Sequence, residues 1–96
     1  MVYKIKKIQL EKAKLINVTI KSSTSKGKKI DVFDKDGNKL ASIGATGYKD
    51  FATYLETDGL TVANERRKLY MVRHAKEPAK KDGKFTPSYY AKRILW

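Results

Sequence analysis

Basic residues are the part of this sequence with the clearest chemical potential. One predicted helix carries four of them, Arg66, Arg67, Arg73 and Lys76. At 100° per residue, Arg66, Arg73 and Lys76 fall within about a third of the helix circumference. Such groups neutralise phosphates, so we predict that the chain contacts nucleic acid, DNA rather than RNA. The predicted contact residues are Arg66, Arg67, Arg73, Lys76, Lys80, Lys81, Lys84, Lys26, Lys28 and Lys29.

The charge is distributed unevenly along the chain. Residues 1–30 carry a net charge of +8, residues 31–60 carry −3 and residues 61–96 carry +7, which gives the total of +12. A small chain with two basic arms around an acidic middle is typical of a protein that meets a polyanion or an acidic surface. Four tyrosines lie between these charges and could stack on bases, although tyrosines of a small domain more often belong to its core. They are Tyr48, Tyr70, Tyr89 and Tyr90.

Residues suited to catalysis or metal binding are scarce. His74 is the one histidine and cysteine is absent, so a nucleophile–base pair would depend on His74 alone and no thiolate metal site can form. Asp34, Asp36 and Asn38 resemble part of a calcium loop, but the glycine comes two residues early and the closing glutamate is missing. A hairpin turn explains these residues better. We predict a protein that is not an enzyme and that has no metal and no cofactor. His74 is expected to be a structural residue or to contact a ligand such as phosphate.

Gly44-Ala45-Thr46-Gly47 allows two interpretations. The segment could form a backbone nest that binds a phosphate at the start of a helix. It matches neither the P-loop nor the dinucleotide fingerprint, however, and glycines at a strand-to-helix corner more often supply unusual backbone angles. The second interpretation is favoured.

The size and composition of the chain predict one domain, residues 1–96. Its hydrophobic fraction of 41% is enough for a small core. No apolar run reaches the roughly 18 residues of a membrane span, and the N-terminal residues lack the apolar stretch of a signal peptide. We therefore expect a soluble protein of the cell interior that is not secreted and does not bind a membrane.

The first half of the chain is predicted to be mainly β-structure. Alternating branched residues indicate strands over 15–20, 29–33 and 40–43. A flexible loop over 21–28 and a hairpin turn over 34–38 connect them. Tyr3, Ile5 and Ile8 fit an earlier strand, whereas Ile5, Ile8 and Lys12 fit a short helix.

The second half is predicted to be helical. A short helix is predicted over 48–56 and a longer one over 61–77. Thr61 and Asn64 can cap the longer helix, Leu69 and Val72 form its apolar stripe, and Pro78 ends it. A basic loop over 80–84 follows. Thr86 and Pro87 then predict the start of a terminal helix over 88–96. The expected fold class is α+β, a small antiparallel sheet of about three strands packed by two or three helices.

Three motifs in this order resemble a family of small, basic, uncharacterised proteins encoded by large double-stranded DNA viruses of algae and protists. They are Gly44-Ala45-x-Gly47-Tyr48-x-Asp50-Phe51, Arg66-Arg67-x-x-Tyr70-x-x-Arg73-His74 and Thr86-x-x-Tyr89-Tyr90-x-x-x-Ile94-Leu95-Trp96. The resemblance covers roughly residues 28–96, and residues 1–27 look like a variable extension. Where the family leads us to expect a Lys-Asp pair and more charge, this chain has Leu55-Glu56-Thr57-Asp58-Gly59. The resemblance implies a viral protein, in the virion or in the cytoplasm or nucleus of the host cell, and implies no reaction.

The apolar end of the chain leaves two functions open. Large apolar groups rarely remain exposed, so Trp96 either closes the core or anchors a partner protein together with Tyr89 and Tyr90. The leading hypothesis is a non-catalytic nucleic-acid-binding protein with little sequence specificity, packaged in the virion. The alternative is a minor capsid or cement protein that bridges acidic surfaces of larger capsid subunits. The sequence does not predict an oligomeric state.

Overall fold

A computed structural model of the protein describes residues 3–96. Its helices are α1 (Lys7–Leu15), α2 (Phe51–Asp58), α3 (Leu60–Arg73) and α4 (Pro87–Tyr90), and α4 continues as a π-helical turn over Ala91–Leu95. Its strands are β1 (Thr19–Ser22), β2 (Lys28–Phe33), β3 (Lys39–Ala45), β4 (Lys80–Lys81) and β5 (Lys84–Phe85). The predicted α+β class is confirmed.

The main sheet is antiparallel, in the order β1-β2-β3. Ile30 pairs with Ile43 and Val32 with Ala41, and these four side chains are buried on the same face, as the period of two along a strand requires. The predicted hairpin turn between β2 and β3 is confirmed. The Asp34 carboxylate accepts hydrogen bonds from the main-chain amides of Asp36 and Asn38, at 2.9 and 2.8 Å.

Helix α1 and the C-terminal helix, which consists of α4 and the π-helical turn that continues it, cover the apolar face of this sheet. The helices contribute Ala13 from α1 and Tyr90, Ile94 and Leu95 from the C-terminal helix. These side chains pack against five buried residues of the sheet, Ile20, Ile30, Val32, Ala41 and Ile43. Burying this apolar surface is the main stabilising contribution to the fold. The core therefore joins the two ends of the described chain to the sheet between them.

The opposite face of the sheet contains a buried carboxylate, Asp31. Its oxygens accept hydrogen bonds from the Ser23 and Ser42 hydroxyls, at 2.6 and 2.7 Å, and Lys39 Nζ lies 3.4 Å away. Burial acts to raise the pKa of Asp31, but the hydrogen bonds from Ser23, Ser42 and the Thr24 amide, with the Lys39 charge, lower it to about 2. A serine-rich segment that the sequence predicted to be a flexible loop thus stabilises the sheet.

The predicted strand over 15–20 is wrong in its first half. Leu15 ends α1, Asn17 adopts a left-handed conformation with φ 58°, and β1 begins only at Thr19. Of the two interpretations of the N-terminal segment, the helix is correct, although it begins at Lys7. The Gln9 side chain caps it by accepting a hydrogen bond from the Lys6 amide at 2.9 Å.

The helical hairpin differs from its prediction at both ends. Helix α2 begins at Phe51 rather than at Tyr48 because the Asp50 carboxylate caps it, accepting from the Thr53 amide at 2.9 Å. Helix α3 starts from Gly59, with no cap from Thr61, and ends at Arg73, before Pro78. The predicted stripe is not its packed face, since α3 buries Ala63 while Leu69 and Val72 stay 47% and 68% exposed.

The C-terminal helix begins as predicted. Thr86 Oγ1 accepts a hydrogen bond from the Tyr89 amide at 3.2 Å, and Pro87 occupies the first helical position. The predicted basic loop over 80–84 is instead the hairpin β4–β5, in which Asp82 and Gly83 both take positive φ, 53° and 80°. Two successive positive φ angles are what a type I′ hairpin turn requires.

Candidate nucleic-acid interface

A groove of about 790 Å³ lies between α3 and the sheet. One wall is α3, the other consists of the end of β3 with the segment that leads to α2, and the C-terminal helix lies between them. Its volume is in the range of pockets that bind small molecules or single nucleotides. The groove is the site around which the predicted functional residues can be located.

Aromatic rings line the groove where α3 approaches the C-terminal helix. The Trp96 ring stacks on Tyr70, with centroids 4.5 Å apart and an interplanar angle of 12°, and Tyr70 in turn stacks on His74 at 4.2 Å. Tyr54 of α2 lies 6.2 Å from Trp96. These contacts attach α2 and α3 to the end of the chain, so the Trp96 ring is packed within this domain.

Two arginines of α3 line the groove without an acidic partner. Arg66 and Arg73 are exposed and make no salt bridge within residues 3–96. They are seven residues apart, which is about 10 Å along the helix axis. The Arg66 guanidinium also lies 5.6 Å from the centre of the Tyr54 ring. The predicted placement of Arg66 and Arg73 on one face is confirmed, but it is wrong for Lys76, which lies beyond the end of α3 at Arg73.

A buried ion pair underlies the opposite wall. Lys29 Nζ lies 3.1 Å from Asp50 Oδ2, with the two side chains 7% and 1% exposed. The same ammonium donates a hydrogen bond to the main-chain carbonyl of Tyr48. The prediction that Lys29 contacts nucleic acid from a flexible loop is therefore wrong, because Lys29 belongs to β2 and its charge is neutralised inside the protein.

Asp50 connects this wall to three other parts of the chain. Its carboxylate accepts hydrogen bonds from the Tyr3 hydroxyl at 2.6 Å and from both the amide and the hydroxyl of Thr53 at 2.9 Å. Burial acts to raise the pKa of Asp50, but the bonds from Tyr3 and Thr53 and the charge of Lys29 hold that pKa below its usual range. Burial and the bond to Asp50 raise the pKa of Tyr3 to about 12. Asp50 is thus an ionised group that fixes the wall of the groove.

Gly44 allows the sheet to approach the C-terminal helix at this wall. Its φ is +79°, and a Cβ at this position would lie 2.9 Å from Leu95 Cδ1 and 3.1 Å from Lys29 Cδ. This confirms the favoured interpretation of Gly44, which is that the position needs unusual backbone angles. Close packing against Leu95 and Lys29 is a second reason for a glycine here.

Arg67 does not share the surface of Arg66 and Arg73. Its guanidinium lies 4.6 Å from the centre of the Phe51 ring, on another side of α3, and lines a separate cavity of about 230 Å³. Lys12, Lys92 and Arg93 line the same cavity. Burial lowers the pKa of Lys12, and the charge of Arg67 lowers it further. Arg67, which was predicted to contact nucleic acid but not to share the face of Arg66 and Arg73, therefore lies outside the groove.

The remaining predicted lysines fall into two exposed sets. Lys28 is the first residue of β2 and pairs with Ala45, which lines the groove, and Lys26 lies in the turn that precedes β2. The loop prediction is wrong for Lys28. The other set follows α3, does not line the groove, and consists of Lys76, Lys80, Lys81 and Lys84.

The three predicted partner anchors are packed within the fold to different degrees. Tyr90 is 5% exposed and belongs to the core, so the prediction that it anchors a partner is wrong. Tyr89 is half-buried and stacks on Phe85 with centroids 4.0 Å apart. Trp96 is half-buried and stacks on Tyr70 as described.

His74 makes contacts within the protein and also lines the groove. Its Nδ1 lies 2.6 Å from Glu77 Oε2, and its main-chain carbonyl accepts a hydrogen bond from Lys92 Nζ at 2.6 Å. The Ser88 hydroxyl donates to the same glutamate, and this bond and His74 lower the pKa of Glu77. The segment after α3 is thereby attached to the C-terminal helix.

Sequence reasoning missed the residues of the sheet-side wall. Asp50 and Lys49 line the groove but looked like ordinary loop charges, and Tyr54 looked like a core residue of a short helix. One signal was available, since an aspartate three residues before Thr53 is typical of a helix N-cap. The pairing of Asp50 with Lys29, 21 residues earlier in the chain, has no local signature.

Comparison with known proteins gives one match. Residues 18–54 are similar to a family of unknown function, DUF5754. This segment holds the whole main sheet and both members of the Lys29–Asp50 pair. Of the three motifs it includes the whole of the first, Gly44 to Phe51, and neither of the others. No curated protein and no solved structure matches the chain.

None of the helices in residues 3–96 has the length and apolar character that a membrane crossing demands.

Proposed function

We propose that the protein binds nucleic acid electrostatically, with little sequence specificity and without catalysing a reaction. The observation that carries this proposal is the excess of unpaired cations. Only four of the 22 lysine and arginine side chains form salt bridges within residues 3–96, and the other eighteen form none. Unpaired cations are what the release of counterions from a phosphate backbone requires.

The placement of these cations supports phosphate contact rather than base readout. Arg66 and Arg73 line the groove, and Lys28 pairs with Ala45, which also lines it. Contacts to phosphates fix the position of a nucleic acid but carry no sequence information. We therefore expect similar affinity for different sequences of the same length and strandedness.

The resemblance to proteins of large DNA viruses supplies the proposed setting. We propose a viral protein that meets the genome in the virion or in the host cell. The alternative, a minor capsid or cement protein, is less well supported, since Tyr90 is buried and Trp96 is stacked on Tyr70. A cement function would need these groups free to contact larger capsid subunits.

Fluorescence anisotropy with labelled single-stranded DNA, duplex DNA and RNA of one length tests the proposal. At about 50 mM salt, six or more phosphate contacts should give readily measurable binding, with an affinity that falls linearly on a log–log plot as salt is raised. No detectable binding to any of the three at this salt concentration would contradict the proposal.

A further inference from the structure

The groove has a chemical character that the electrostatic proposal does not explain. A surface that only neutralises phosphates needs exposed cations, yet Tyr48 at the mouth of the groove is 76% exposed. Its ring has no aromatic or cationic neighbour in stacking range within residues 3–96. A large exposed aromatic ring beside unpaired arginines is a typical feature of surfaces that bind unpaired nucleotides.

The main chain that carries Tyr48 is held in place from inside the protein. Its carbonyl accepts a hydrogen bond from buried Lys29, which is itself paired with Asp50. Asp50 also caps α2, so the buried Lys29–Asp50 pair holds both the Tyr48 backbone and the start of the helix that follows. A ring on a backbone fixed in this way loses less conformational entropy on binding than a ring on a mobile loop.

The opposite wall provides the complementary charge. Arg66 and Arg73 lie across the groove from the segment that carries Tyr48, and their separation of about 10 Å along α3 lets them contact different phosphates of one strand. Lys49, on the Tyr48 side, is already paired with Asp58 at 3.1 Å. The unpaired positive charge of the groove itself is therefore concentrated on α3.

Resting on the nucleic-acid-binding function proposed above, we propose that the groove binds an unpaired segment of nucleic acid. A base stacks on the Tyr48 ring while Arg66 and Arg73 bind the phosphates of the same strand. In a duplex the bases are stacked on one another and their faces are inaccessible, so this contact requires a single strand, a loop or a frayed end.

The test compares single-stranded dT12 and rU12 with a 12-base-pair DNA duplex, by anisotropy at about 50 mM salt. We expect both single strands to bind more tightly than the duplex. Tyr48→Ala should weaken single-strand binding about tenfold or more and leave duplex binding unchanged, because stacking contributes only to the unpaired ligand. Tyr48→Phe should retain the wild-type affinity, since it keeps the ring.

Phe85→Ala is the matched control, because Phe85 is a partly exposed aromatic residue beside basic side chains on the β4–β5 hairpin, outside the groove. It should leave single-strand binding unchanged. A difference in affinity between dT12 and rU12 identifies which nucleic acid the groove prefers. A loss of affinity for either strand on Tyr48→Ala supports the inference.

Three results would overturn the inference. Equal binding of single strand and duplex, both insensitive to Tyr48→Ala, would leave the electrostatic function intact and remove the stacking site. Binding of a poly-glutamate peptide as tight as that of dT12, with the same Tyr48 dependence, would make the groove a site for acidic protein segments. Absence of binding to every nucleic acid would remove the proposed function and this inference together.

Discussion

The groove and the β4–β5 hairpin are both rich in positive charge, but they differ in how the structure holds that charge. Around the groove, a buried ion pair, a helix cap and a glycine in close contact with Leu95 fix the wall that faces Arg66 and Arg73. In the hairpin, every residue of the two short strands is exposed. Charge density alone therefore does not define a binding site, since only one of the two regions presents its cations next to a shaped surface.

The largest expected difference between the two regions is in stability. Asp50→Ala leaves Lys29 buried without a partner and removes the cap of α2, so we expect a loss of about 3–5 kcal/mol in the free energy of unfolding. Urea denaturation followed by circular dichroism measures it. Asp82→Ala, in the turn of the hairpin, is the matched control and should cost much less. Similar losses for the two variants would mean that the buried pair does not fix the groove wall.

A glycine in each region tests the role of close packing. Gly44 and Gly83 have nearly the same φ, +79° and +80°, but a Cβ would clash with Leu95 only at Gly44. Gly83→Ala should therefore cost about 1 kcal/mol of unfolding free energy for the backbone conformation alone. Gly44→Ala should cost about 2 kcal/mol or more, because Leu95 and Lys29 must also shift. Equal thermal or urea stabilities of the two variants would show that the packing at Gly44 adjusts freely.

The sheet that carries the groove wall should also contribute to the acid sensitivity of the protein. The pKa of Asp31 is about 2 in the folded state, below the value of about 3.9 for an unfolded aspartate. The stability that this carboxylate contributes is therefore fully present above pH 4 and is lost as the pH falls towards 2.

Asp31→Asn should accordingly be less stable than the wild type at pH 6, and its stability should fall less steeply between pH 4 and pH 2. Urea denaturation over this pH range measures both effects. An equally steep fall in the variant would assign the acid sensitivity to other carboxylates, such as Asp50, whose pKa is also lowered.

The sequence predicted the elements better than it predicted the site. The hairpin at Asp34–Asn38 and the helix start at Thr86-Pro87 were predictable because each depends on neighbouring residues with specific backbone chemistry. The burial of Lys29 was not, because its partner Asp50 lies 21 residues away and a single lysine in a basic segment resembles an exposed one. The separation of Arg67 from Arg66 was predictable, because neighbouring helix residues lie about 100° apart, whereas the contact of Arg67 with Phe51 depends on the packing of α2 on α3.

The apolar residues of α3 show the same limit. Leu69 and Val72 have the spacing of a buried stripe, yet they are exposed and line the groove beside Arg66 and Arg73. Helical periodicity identifies which residues share a face, but it does not reveal whether that face meets the core or a cavity open to a ligand. An apolar stripe that stays exposed deviates from the simple amphipathic helix, and under the proposed function this deviation marks the groove as the binding surface.

Under the proposed function, nucleic acid contacts the groove cations Arg66 and Arg73 more than the hairpin cations Lys81 and Lys84. The salt dependence of binding measures this difference. Arg66→Gln/Arg73→Gln and Lys81→Gln/Lys84→Gln each remove two positive charges from exposed positions. For a single strand, loss of two phosphate contacts should reduce the slope of log affinity against log salt by about 1.4 in the groove variant. The hairpin variant should keep nearly the wild-type slope. An equal or larger reduction in the hairpin variant would contradict the account.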